Sequence, residues 1–101
     1  MKNKKVTVLA LAKAKEGMEE IVRQELLALV NPTRSEAGCV NYDLHQATAD
    51  KSVFMFYENW RSMEDLEKHG KTAHLKALRE KASDLLDKPM EVTLFEMLSE
   101  S

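Results

Sequence analysis

Glu58, Trp60, His69 and His74 lie in one short stretch that carries the only tryptophan and two of the three histidines of a 101-residue chain. These residue types can bind and deprotonate a small planar molecule. Histidine titrates near neutral pH and accepts a proton from a phenol or enol, while tryptophan offers a flat wall to an aromatic ligand. Glu58 stands in a strand otherwise rich in Phe54, Met55, Phe56 and Tyr57, where a carboxylate needs a partner or a raised pKa. Arg61, Lys71 and Arg79 are the candidate partners. His69 or His74 is the candidate base, Trp60 the candidate wall and Glu58 the candidate orienting carboxylate. Tyr42 and Phe56 are candidate substrate contacts, and His45 is a further titratable group in the neighbourhood.

Each of these residues also has a plain structural role open to it. A tryptophan at a strand end commonly packs, and a helix histidine commonly caps or faces water. Several familiar sites are absent from the sequence: a glycine-rich phosphate loop, a cysteine pair, a Gly-x-Ser-x-Gly elbow and a His-Glu-x-x-His motif. His69 and His74 are five apart, off the three- or four-residue spacing that aligns ligands on one helical face. A zinc site is therefore not expected, and no metal ligands are assigned.

The elements that must position this stretch follow from periodicity. Residues 5–13 read as a first strand with apolar residues on both faces. Met18, Ile21, Val22, Leu26 and Leu29 then recur at helical spacing, predicting a helix over 17–30 that ends at Asn31-Pro32. A second strand from Cys39 to Gln46 separates Val40, Tyr42 and Leu44 from Cys39, Asn41, Asp43 and His45. A short connection predicts a hairpin to the third strand, Ser52 to Trp60. Ser62 then caps a helix that bends near Gly70 and resumes to Leu85. Glu91 to Leu98 forms the last strand. The order βαββαβ specifies an α+β, ferredoxin-like single domain over 1–101, an antiparallel four-stranded sheet with two helices on one face.

The other sheet face has no cover of its own, yet the first, third and last strands carry apolar residues on both sides. A homodimer through the open face is expected, with Val53, Met55, Tyr57, Phe95 and Met97, or their opposite-parity neighbours, against the partner. Fifteen basic and seventeen acidic residues are interspersed, giving a net charge of -2 and no suggestion of nucleic-acid binding. The basic cluster at Lys2–Lys5 reads as a solvated terminus without the apolar run of a signal peptide. No window is apolar enough to span a membrane, so a cytoplasmic location is expected. Cys39 reads as a structural thiol.

Glu-Ala-Gly-Cys-Val-Asn-Tyr-Asp-Leu-His at 36–45, Tyr-Glu-Asn-Trp-Arg-Ser at 57–62 and the stretch His69 to His74 resemble the antibiotic biosynthesis monooxygenase domain, and in particular small bacterial quinol monooxygenases. The resemblance covers nearly the whole chain. It implies a dimeric α/β barrel, a pocket between sheet and helices, and oxidation of a small quinol or polyphenol by molecular oxygen without flavin, haem or metal. It matches Trp60 to a pocket tryptophan, Glu58 to the acidic residue two before it, His69 and His74 to two helix histidines, and Tyr42 to an aromatic position. Ala73 departs from a proline common before the second histidine.

Related branches of the same fold remain as alternatives. Haem-degrading members use an asparagine on the first strand, where this chain offers Thr7. A branch that isomerises a phosphorylated signalling sugar would want a cationic pocket. A dimeric small-molecule binding or stress-response module without turnover is the alternative of a different class.

Overall fold

A computed structural model of the chain describes residues 5–99. The basic cluster read as a solvated terminus lies outside these residues except for Lys5, which is exposed. The elements are β1 (Val6–Lys13), α1 (Glu19–Leu27), α2 (Val30–Arg34), β2 (Cys39–Gln46), β3 (Val53–Trp60), α3 (Met63–Gly70), α4 (Ala73–Leu85) and β4 (Glu91–Phe95). The four strands form one antiparallel sheet in the order β2-β3-β1-β4, the ferredoxin-like arrangement. Among the described residues, no helix is long and apolar enough to cross a membrane.

The register decides which side chains each face presents. Val8, Ala10 and Ala12 of β1 pair with Glu58, Phe56 and Phe54 of β3, and all six are buried beneath the helices. The small alanines leave room for Val22 and Leu26 of α1 and Leu78 of α4, which belong to the same core cluster. The large buried side chains Trp60, Tyr42, Phe54 and Phe56 dominate this core, each worth about 1.5–3 kcal/mol of transfer free energy. The opposite face carries Leu9 and Leu11 beside Tyr57 and Met55, with Phe95 beside Thr7. Parity alone left this choice open.

Four details depart from the sequence reading, each for a local reason. The helical region after Gly17 is two segments, and Asn31-Pro32 lies inside the second of them. Pro32 falls in the first turn of α2, where a missing N–H is tolerated, but it cannot bond back to Ala28, so the ladder breaks there. On β2 a bulge between Cys39 and Asn41 inserts Val40 as an extra residue. Val40 is thereby turned to solvent, and Cys39 joins Tyr42 and Leu44 on the core side. Strand β4 stops at Phe95 because β1, its only partner, has just Val6 left beyond Thr7.

The fourth departure matters most for the site. The helix expected to bend at Gly70 is divided into α3 and α4 by Lys71 and Thr72. Gly70 is helical, with a negative φ and open space where a Cβ would stand, so it does not cause the break. Thr72 does: its backbone is extended, its hydroxyl donates to the His69 carbonyl at 2.8 Å, and the same oxygen caps Leu75 N–H at 3.4 Å.

Gly38 fixes where β2 starts relative to α3. Its carbonyl accepts from Arg61 N–H at 2.9 Å, and a Cβ at residue 38 would overlap the Asp65 side chain. Gly38→Ala is expected to lower stability by about 1–3 kcal/mol, because Asp65 is held to the Ser62 cap and has little room to yield. Gly70→Ala should be neutral or stabilising by up to about 1 kcal/mol. Urea unfolding of the two variants checks the pair; equal losses would mean the close approach at Gly38 is absent.

Candidate active site

The residues singled out in the sequence form one connected cluster, centred on His69. The His69 ring lies 4.5 Å from Trp60 and 5.5 Å from Tyr42, measured between ring centroids. Tyr42 stacks on Phe56 at 4.4 Å. Trp60 Nε1 donates to Glu58 Oε1 at 2.9 Å, and His74 lies 6.1 Å from His69. Three elements supply these groups: β2, β3, and the α3–α4 pair. His45 is elsewhere, exposed on the open sheet face opposite Met55.

The group that organises the cluster was not singled out beforehand. Glu36, in the turn between α2 and β2, places one oxygen, Oε2, 2.9 Å from His69 Nδ1 and 2.8 Å from His74 Nε2. Both rings donate an N–H to that oxygen, which sets their tautomers and leaves His69 Nε2 and His74 Nδ1 as the basic nitrogens. The turn is tied at both ends, by Glu36 N–H to Thr33 O at 3.0 Å and Cys39 N–H to Glu36 O at 3.1 Å. Arg34 docks α2 on β2 through Tyr42 O and Asp43. The only sequence signal for Glu36 was its place just ahead of the glycine that opens the second strand. The five-residue spacing set against a shared site for the histidines loses its force, since it presumes one continuous helix.

Glu58 does not take the role expected of it. Among the described residues no ion pair joins it to Arg61, Lys71 or Arg79. Its hydrogen bond is to the neutral Trp60 indole, and burial, opposed by that bond and reinforced by the Glu36 charge, pushes its pKa up to about 7. Burial also lowers the pKa of His69, against the pull of the Glu36 hydrogen bond, so its neutral form is favoured. Burial raises Tyr42 well above the ordinary phenol value and Cys39 to about 11, with Glu36 and Glu58 adding to both. A structural thiol at Cys39 agrees with this. Burial thus favours the neutral forms of Glu58, His69, Tyr42 and Cys39.

Access is uneven. Trp60 is 0% exposed, Tyr42 2%, Glu58 4% and His69 6%, whereas the side chains of His74 and Glu36 are 23% and 17% exposed. A cavity of about 720 Å³ opens between α4 and the approach to β4, with Leu75, Leu78, Ala82, Met90 and Val92 among its walls and Arg79 at its edge. Leu78 is one helical turn beyond His74, about 5.4 Å along α4. Trp60 and the histidines do not line this cavity, so Trp60 is a wall of the buried cluster and not of the open space.

A raised carboxylate pKa makes stability depend on pH with a definite sign. The folded chain keeps a proton on Glu58 up to about pH 7, while the unfolded chain releases it near 4.5, so this contribution is complete below 4.5 and is lost as pH rises to about 7. Glu58→Gln retains an acceptor for Trp60 and cannot ionise. It is expected to gain roughly 1–3 kcal/mol over the parent chain at pH 8 and nothing at pH 4. The difference between the two chains isolates Glu58 from His69, whose lowered pKa acts with opposite sign below about 6.5. Urea titrations across pH check it; a constant difference would place the Glu58 proton on both states alike.

Known proteins resemble the chain in sequence and in fold. The family model described as antibiotic biosynthesis monooxygenase matches residues 5–81. A Mycobacterium tuberculosis protein named Putative monooxygenase Rv0793 is 32% identical over 96 residues, covering 95% of this chain and 94% of the relative. The structure of that protein matches with a TM-score of 0.90 at 30% identity, covering 96% of this chain and 98% of the other. PA3566 from Pseudomonas aeruginosa matches with a TM-score of 0.91 at 35% identity, covering 95% of this chain and 96% of the other. An uncharacterized Synechocystis protein, sll1783, is 33% identical over 79 residues, or 74% of this chain, and the match spans 54% of that relative's length. With its ferredoxin-like sheet and a family match over most of its length, the chain belongs to the antibiotic biosynthesis monooxygenase family.

Proposed function

We propose that the chain is a monooxygenase that oxidises a small quinol or polyphenol with molecular oxygen, the protein acting as base and shield. The observation that carries this is the single Glu36 oxygen shared by two histidines, one of them partly open to the surface. Each ring turns one nitrogen to that oxygen, and the other nitrogen is the one that takes a phenol proton. His74, the more exposed, is the base, and His69 supports it. The substrate enters by the apolar cavity along α4, where Arg79 favours the phenolate over the phenol, and its hydroxyl reaches one helical turn beyond Leu78 to His74. The electron-rich anion then reduces oxygen; one oxygen atom enters the ring and the other leaves as water, giving a quinone from a phenol. Buried Trp60 and Tyr42 keep water from the His69 side.

The same proposal includes a homodimer across the open sheet face. Leu11, Tyr57 and Phe95 stand there with 43%, 38% and 47% of their surface exposed, beside Leu9 and Met55. An apolar row of this kind on an antiparallel sheet favours a second copy. It also includes a cytoplasmic location, where a lone thiol stays reduced.

A specific observation favours a rival, a binding module without turnover: four of the six residues in the assigned roles are less than 5% exposed. Oxygen uptake with a panel of hydroquinones separates the two. Turnover is expected in the parent chain, with a loss of about 100-fold or more in His74→Ala and about tenfold in Glu36→Gln. Thermal stabilisation by the same compounds without oxygen uptake would establish the rival, and unchanged rates in both variants would remove the assigned roles.

For the dimer, light scattering at micromolar concentration is expected to give twice the chain mass, falling to one chain mass in Tyr57→Asp. A monomeric parent chain would sink the association.

A further inference from the structure

We propose that Glu36, His69 and His74 form a binding site for a divalent transition-metal ion. His69 Nδ1, His74 Nε2 and a Glu36 oxygen lie within 4.8 Å of one another and come from three elements: α3, α4 and the α2–β2 turn. Two imidazole nitrogens and one carboxylate oxygen suit Zn²⁺, Co²⁺, Ni²⁺ or Cu²⁺ over the hard cations Mg²⁺ and Ca²⁺. Around a tetrahedral ion with bonds of about 2.0–2.1 Å, ligand atoms stand about 3.3 Å apart. The two contacts to Glu36 are 2.9 and 2.8 Å, so each opens by about half an ångström, while the two imidazole nitrogens, within 4.8 Å of each other, close by up to about 1.5 Å to hold the ion.

The surroundings permit that movement on one side and resist it on the other. His69 is wedged between Trp60 and Tyr42 and supplies a fixed ligand. The side chains of His74 and Glu36 are partly exposed, which lets them adjust and leaves a fourth position toward solvent. Arg79, whose charge is felt at His69, opposes the cation and weakens its binding. On binding, each coordinating nitrogen gives up its proton and the ring carries one on its other nitrogen instead, while Glu36 exchanges two hydrogen bonds for one metal bond. Both basic nitrogens are then capped by protons. The ion is thus an occupant that silences the histidines as bases, and its binding does not depend on the proposed reaction.

The test is a Co²⁺ and Zn²⁺ titration of the chelator-treated full chain by calorimetry, with the visible spectrum of bound Co²⁺ as a second readout. One ion per chain is expected, with an affinity about tenfold or more weaker in His74→Ala and in Glu36→Gln and unchanged in His45→Ala. The substituted residues are partly exposed, and a urea transition for each variant confirms that it folds. Absence of saturable binding overturns the site. So does binding that survives both substitutions, or that is lost with His45, which would place the ion on the open sheet face.

Discussion

One carboxylate oxygen, Glu36 Oε2, holds two histidines that a continuous helix would have turned to different sides. That convergence depends on a helix break at Lys71-Thr72 and on a tied turn before β2. The break is local chemistry, a threonine hydroxyl satisfying a carbonyl behind it and a cap ahead of it. The turn is tertiary, fixed by Arg34 on β2 and by the close approach of Gly38 to Asp65. Loosening either one would separate an acceptor from donors that are partly buried, and leaving such groups unpaired costs about 1–3 kcal/mol each.

The electrostatics of the site follow first from burial, with the Glu36 charge adding to it. Desolvation acts on four of its groups, each favouring the neutral form: Glu58 holds its proton to about pH 7, His69 sheds its own, and Tyr42 and Cys39 keep theirs. A site of this kind has little to offer as a protein nucleophile. Arg79 is among the residues that line the neighbouring apolar cavity.

Much of the fold was legible in the sequence because alternation and helical spacing are set by burial on one face. The second strand, Cys39 to Gln46, was read with its observed boundaries. Failures came where backbone geometry departs from a simple period. Proline reads as a stop although its place in a first turn costs only one hydrogen bond, and the bulge at Val40 exchanges the faces of Cys39 and Val40. The last strand was read too long, since a strand extends only as far as its partner.

For the site, residue type and proximity in sequence were enough to nominate Glu58, Trp60, His69, His74, Tyr42 and Phe56, and the fold brings all six into one cluster. Sequence by itself determined the element order and this inventory, because both rest on short-range pattern. Tertiary structure decided the roles. Glu36 is more than thirty positions from the histidines it joins, and Glu58 meets an indole where a cation was expected. Hydrogen-bond partners across such distances are chosen by how elements pack, and no spacing rule along the chain encodes that choice.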